Sequence, residues 1–197
     1  KRVNEFSMFE DQDYILKKIL TIIQEEKPDG VLIAGDVYDK SIPSVEAVGL
    51  LDDFLKKLAK AHIQTFIISG NHDSPERLAF AAELIEPSGI HISPAYDGKV
   101  RPISMQDDYG TVNIYMLPFV RPAHVRSVFP KENTESYTEA IRTAISHMEI
   151  HEEERNLLIT HQFVTGAQRS ESEEISVGGT DNVDASVFQA FDYVALG

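Results

Sequence analysis

The stretch that most constrains this chain is Thr65 to Pro75, TFIISGNHDSP. Thr65 to Ser69 is a short apolar run of the length and composition of a buried strand. Gly70 breaks it. Asn71, His72 and Asp73 then occupy a tight loop, and Ser74-Pro75 has the form of a helix start, with Ser as N-cap and Pro at the first helical position. An amide, an imidazole and a carboxylate are thereby grouped at the carboxyl end of a strand, where open α/β sheets place their ligands.

Two more strand ends repeat the arrangement. Val31 to Ala34 reads as a buried strand running into Gly35-Asp36-x-x-Asp39, and Asn156 to Thr160 reads as another ending on His161. A last strand, Tyr193 to Leu196, leads to Gly197. Helical spacing lies between: Tyr14, Ile15, Leu16, Ile19, Leu20, Ile22 and Ile23 from Glu10 onward, then Val45, Val48, Leu51, Phe54, Leu55 and Leu58 behind Ser44 as N-cap. Ser74 to Ile85 also reads as helical, and Ser136 with Glu139 forms a capping box for a helix through Met148. Ile90 to Ile92 is a short strand. Val100 to Met105 and Thr111 to Leu117 read as two strands turning at Asp107 to Gly110. Pro118 to Pro130 reads as a Pro-punctuated loop, Gly166 to Asp181 as a polar Gly-rich one, and Asp184 to Phe191 as a short helix. Strands alternating with helices make this an α/β domain.

Asp, Asn and His are oxygen and nitrogen donors, suited to manganese, iron or zinc more than to calcium. A carboxylate can bridge two cations, and two cations clamp a phosphate and make hydroxide available near neutral pH. A nearby His can protonate the leaving oxygen. Each motif alone also has a plainer reading. GD after a strand is a common turn, GNH is a good turn because Asn tolerates left-handed geometry, and a His after a strand can cap a backbone group. All three in order, each at a strand end, are what makes the pattern specific.

The other histidines read as structural. His147 and His151 share a metal-compatible spacing, but His151 runs into Glu152-Glu153-Glu154 and both read as a solvated face. His62 reads as a helix cap and His91 as a strand-end surface residue. His124, between Arg121 and Arg126, reads as a surface-loop residue, with a phosphate contact as the alternative. Arg77, one turn past GNHD, reads as a salt-bridge partner or a substrate contact. Glu171, Glu173 and Glu174 read as a solvated loop.

A length of 197 residues and 42% hydrophobic content suit one substantial domain. A formal charge of −14, from 32 acidic against 18 basic residues, is unlike a protein that grips nucleic acid by a basic face. Metals or a partner would then supply positive charge. There is no cysteine, which rules out disulfides and thiolate metal sites and fits a cytoplasmic protein. No apolar run reaches membrane-helix length. Lys1 opens the chain and Gly197 follows an apolar run without a stop signal, so the chain reads as a piece of something longer.

On these residues the chain resembles the calcineurin-like metallophosphoesterase superfamily, whose pattern is DxH, GDxxD, GNHD/E, a lone His, then GHxH. Within it, the likeness is to bacterial DNA nucleases that act with an SbcC-type ATPase. It extends over nearly the whole chain: FEDQDYIL, GDVYD, SGNHDSPERL, LPFVRP, THQFVTG, SESEEISVGGTD and FDYVALG. The resemblance implies a four-layer sandwich, two mixed β-sheets flanked by helices. It implies Asp36 as the carboxylate bridging two divalent metal ions, manganese foremost, with Asn71 and His161 as ligands. It implies His72 as the catalytic histidine, Asp73 beside it as the partner that supports it, and Asp39 in a supporting role. The implied reaction is phosphodiester hydrolysis at double-stranded DNA ends and hairpins, in DNA repair and recombination, by a homodimer within a heterotetramer. Residues 1–197 would form the nuclease core. On that pattern DxH would lie before Lys1 and GHxH could only begin at Gly197, and residues 1–197 are expected to lack the C-terminal DNA-capping and partner-binding regions. The expectation is a chain that, ending there, binds metal poorly and is nearly inactive. Competing readings are a phosphoesterase for nucleotides or phosphoproteins, and an inactive scaffold.

Overall fold

The computed structural model describes residues 2–3, 6–165 and 181–197, in two compact units, Lys1–Pro94 and Ala95–Gly197. The expected loop from Gly166, with Glu171, Glu173 and Glu174, lies outside the described residues. The fold is α/β, with helices packed on a sheet in each unit.

The first unit opens with a short antiparallel pair, β1 (Arg2–Val3) and β2 (Phe6–Ser7). Helix α1 (Phe9–Glu26) follows and stops at Lys27, which turns left-handed at φ 50° and donates its N–H to the Ile23 carbonyl. Pro28 cannot continue the helix. Strand β3 (Gly30–Ala34) is half-buried throughout, not fully buried as expected. Helix α2 (Val45–Lys60) starts on Ser44, whose hydroxyl accepts the Ala47 N–H at 3.3 Å. Strand β4 (Gln64–Ile68) is the buried centre.

The expected single helix after GNHD is two short ones, α3 (Pro75–Leu78) and α4 (Ala82–Ile85). Ala81 breaks them with a left-handed φ of 59°. A 3₁₀ turn, Glu86–Ser88, leads to β5 (Ile90–Ile92). Strands β3, β4 and β5 form a parallel sheet in that order. Ile23, Phe54, Leu58 and Ile67 centre its core. The inner faces are narrower than the spacing predicts: Tyr14, Ile15 and Ile22 of α1 are exposed, and so are Val45 and Val48 of α2. His91 is a correction too. It lies within β5, stacked on Phe66 at 5.0 Å, with Nε2 3.0 Å from Gln64 Oε1.

The second unit starts its regular structure with the hairpin β6 (Ile103–Asp107) and β7 (Gly110–Leu117). The expected loop from Pro118 to Pro130 contains a helix, α5 (Pro122–Val128). Pro122 sits at its first position, where a missing N–H costs nothing. Helix α6 (Tyr137–Ser146) carries the expected capping box, with Glu139 N–H on Ser136 Oγ at 3.2 Å and Ser136 N–H on Glu139 Oε2 at 3.3 Å. It ends before His147, so His147 and His151 do not share a helical face. His147 stacks on Phe129 at 3.9 Å, and His151 is exposed.

Strand β8 (Arg155–Thr160) follows, then a parallel pair, β9 (Val164–Thr165) and β10 (Val183–Asp184). The expected helix from Asp184 is a 3₁₀ turn, Ala185–Phe188, and β11 (Tyr193–Leu196) closes a mixed sheet in the order β11, β8, β7, β6. Tyr115, Leu117, Val125, Ile141 and Leu158 are fully buried in its core. Asn113 and Asn156, paired across β7 and β8, are buried as well. Asn156 donates to the carbonyls of His151 and Glu154, both at 2.9 Å, and accepts from the Tyr115 hydroxyl at 3.3 Å. Asn113 donates to Glu154 Oε2 at 2.7 Å, which holds that carboxyl below its ordinary value.

Candidate metal and catalytic loops

In the first unit, the register of β3 against β4 pairs Ala34 with Ile68. The chain therefore leaves both strands at one level, and the Gly35–Asp39 and Ser69–Asp73 loops emerge side by side. Gly35 and Asp36 both take left-handed conformations, with φ of 94° and 47°. Glycine adopts this freely, and Asp is among the residues that tolerate it. Gly70 is required for a different reason: a Cβ there would stand 2.2 Å from Asp36 Oδ1 and 2.3 Å from Asp36 N.

The loops exchange carboxylates. Asp36 Oδ1 accepts the His72 N–H at 3.1 Å. Asp73 accepts the Val37 N–H at 3.0 Å, the Tyr38 N–H at 2.8 Å and the Gly70 N–H at 2.8 Å. Asp73 is 8% exposed, whereas Asp36, Asp39 and His72 are exposed. Burial, then the Asp73 and Asp52 charges, push the Tyr38 phenol above its ordinary value.

His72 Nδ1 lies 3.3 Å from the Asp39 carbonyl. A carbonyl only accepts, so this contact places a proton on Nδ1 and leaves Nε2 as the atom that exchanges one. Asp39 thus meets His72 through its backbone, and Asp73 is bonded to three backbone amides. Arg77 stands exposed on α3.

In the second unit, His161 directly follows β8, with its ring edge-on to Phe119 at a centroid distance of 6.3 Å. Thr160 and Gln162 on either side are buried, and among the described residues Thr160 Oγ1 and both ends of the Gln162 amide have no partner. His124 lies on α5, where Nδ1 accepts the Arg121 N–H at 3.3 Å. It is a helix-start residue rather than a loop residue.

The structure thus brings Asp36, Asp39, Asn71, His72 and Asp73 together on paired loops, while His161 and His124 belong to the other unit. On these loops the Asp36 carboxylate, the Asn71 amide oxygen and the His72 imidazole are donors of a type that suits a divalent cation. Among the described residues, no group of three or more His, Asp or Glu stands close enough to hold a metal by itself. The backbone donors of Val37 and Tyr38 escaped the sequence reading, since an N–H partner has no residue-type signature. Gly70 was legible only as a strand break.

The calcineurin-like phosphoesterase family matches residues 9–187. SbcD, the D component of the nuclease SbcCD of Staphylococcus epidermidis, is 34% identical over 201 residues, covering 100% of this chain and 53% of the relative. The chain spans about half the length of this curated relative. It belongs to the calcineurin-like phosphoesterase family.

Proposed function

We propose that this phosphoesterase domain is the nuclease core of an SbcD-type DNA nuclease, hydrolysing phosphodiesters at double-stranded DNA ends and hairpins. The observation that carries the reading is the clasped loop pair, which sets Asp36, Asn71 and His72 at the carboxyl ends of neighbouring parallel strands. The likeness to the staphylococcal SbcCD nuclease component supports a nuclease; DNA as substrate and an SbcC-type ATPase as partner are part of the proposal. Homodimerisation within a heterotetramer, a cytoplasmic location and a role in DNA repair and recombination follow from the same reading. Among the described residues, no helix is long and apolar enough to cross a membrane.

Asp36, Asn71 and His161 are the residues we assign to the metals, two divalent cations with manganese foremost. When bound, such cations neutralise the phosphate and supply a nucleophile near neutral pH. His72, with Nδ1 on the Asp39 carbonyl, offers Nε2 to the leaving oxygen. Arg77 and His124 are assigned as contacts to the substrate backbone.

The test is manganese-dependent cleavage by the full-length protein with its ATPase partner. Hairpin DNA is expected to be cut much faster than a small phosphodiester such as bis-p-nitrophenyl phosphate. Equal or reversed rates would point to a phosphoesterase for nucleotides or phosphoproteins. No manganese bound in the full-length protein would point to a scaffold.

A further inference from the structure

We infer that Asp73 is a positioning residue that sets Asp36 for metal binding, acting across the two loops and not through the His72 ring. The inference rests on the reading of Asp36 as a metal ligand.

The two loops are held by a reciprocal exchange. The carboxylate of the first loop, Asp36, takes an N–H from the second, at His72. The carboxylate of the second, Asp73, takes two N–H groups from the first, at Val37 and Tyr38, directly after Asp36. Its third donor, Gly70 N–H, belongs to the residue over which Asp36 lies. Charge-assisted bonds of this kind are about twice as strong as neutral ones. They act on a backbone that needs holding, because Asp36 sits at φ 47° and a non-glycine residue remains there only where its surroundings over-determine it. Asp73 is buried with its oxygens committed to these amides, which suits anchoring more than proton transfer. Groups that orient a metal ligand from behind typically change metal affinity by about 10- to 100-fold when removed.

The experiment is a calorimetric manganese titration of the full-length protein, with thermal unfolding of each variant measured without metal. Asp36→Ala tests the underlying reading and is expected to lose the metal. Asp73→Asn replaces one acceptor oxygen by a donor facing N–H groups, and is expected to weaken binding about 10- to 100-fold. Asp73→Glu is expected to recover part of that loss. Phe54→Leu, in the core of the same unit, should lower stability with metal affinity unchanged, which separates positioning from general destabilisation. If Asp73→Asn does not fold, Asp73→Glu decides: it keeps the charge but moves the acceptor oxygens off the Val37 and Tyr38 amides, and should weaken binding measurably. Undiminished binding by Asp36→Ala would overturn the ligand reading, and the inference with it. Loss in Asp36→Ala with wild-type affinity in Asp73→Asn would overturn the inference alone, as would wild-type affinity in Asp73→Glu if that variant has to decide.

Discussion

Both units bury polar side chains beside a parallel strand pair, but at opposite ends and with different chemistry. At the carboxyl ends of β3 and β4, carboxylates accept from backbone amides of facing loops, and the backbone they hold is left-handed. Toward the amino ends of β7 and β8, amides and a hydroxyl satisfy one another and the carbonyls of the turn before β8. The first network leaves side chains exposed along a loop edge. The second closes on itself, and so fixes register and shape without presenting chemistry. Burial of polar groups therefore does not mark a site. What distinguishes the candidate site is strained backbone held by charge, with exposed donors beside it.

This contrast can be broken from either side. The largest expected effect is on rate: His72→Ala, at an exposed position, should lower manganese-dependent turnover by roughly 100- to 10,000-fold. Its unfolding midpoint should stay near wild type, and a large drop in denaturant stability would place His72 in the structural class. Next, Asn156→Leu removes the centre of the second network: the Glu154 carbonyl loses its side-chain donor, the His151 carbonyl its second donor, and the Tyr115 hydroxyl keeps only its bond to the Glu149 carbonyl. It should cost about 2 to 4 kcal/mol in urea unfolding, with manganese affinity per folded molecule unchanged.

The smallest effect belongs to the surface pair Arg155–Asp107, where the guanidinium hydrogen bond, 2.9 Å to Oδ2, holds the Asp107 carboxyl below its ordinary value. A depressed carboxyl stabilises the fold above its unfolded pKa, and that contribution is lost as pH falls through the lowered folded one. Arg155→Ala should therefore differ slightly from wild type near neutral pH. The gap should narrow in strong acid, and also at high salt, where exposed charges are screened. What remains belongs to the Arg155 bond to the Gly110 carbonyl at 2.9 Å, and a gap that does not narrow would mean the ion pair contributes nothing.

Much of the fold was readable from residue order. Ser44, Ser136 and Glu139 announce their caps, and the GD and GNHD strand ends lie where their apolar runs stop. The misses have physical causes. Nothing in the sequence marks Ala81 as left-handed, so one expected helix became α3 and α4. Pro122 read as a loop breaker is equally a helix first residue. His91 looked like a surface residue because its partners, Phe66 and Gln64, lie on the neighbouring strand. In the candidate site, the motif residues were legible but their bonding was not. Asp73 follows His72 in sequence, yet its amide partners Val37 and Tyr38 are more than thirty residues away.

The exchange of carboxylates between the loops also has a dynamic consequence. Neither loop can lift without releasing an acceptor that the other needs, so the two open as one cooperative unit. The amide hydrogens of Val37, Tyr38 and His72, whose bonds cross between the loops, should then share one degree of protection from deuterium.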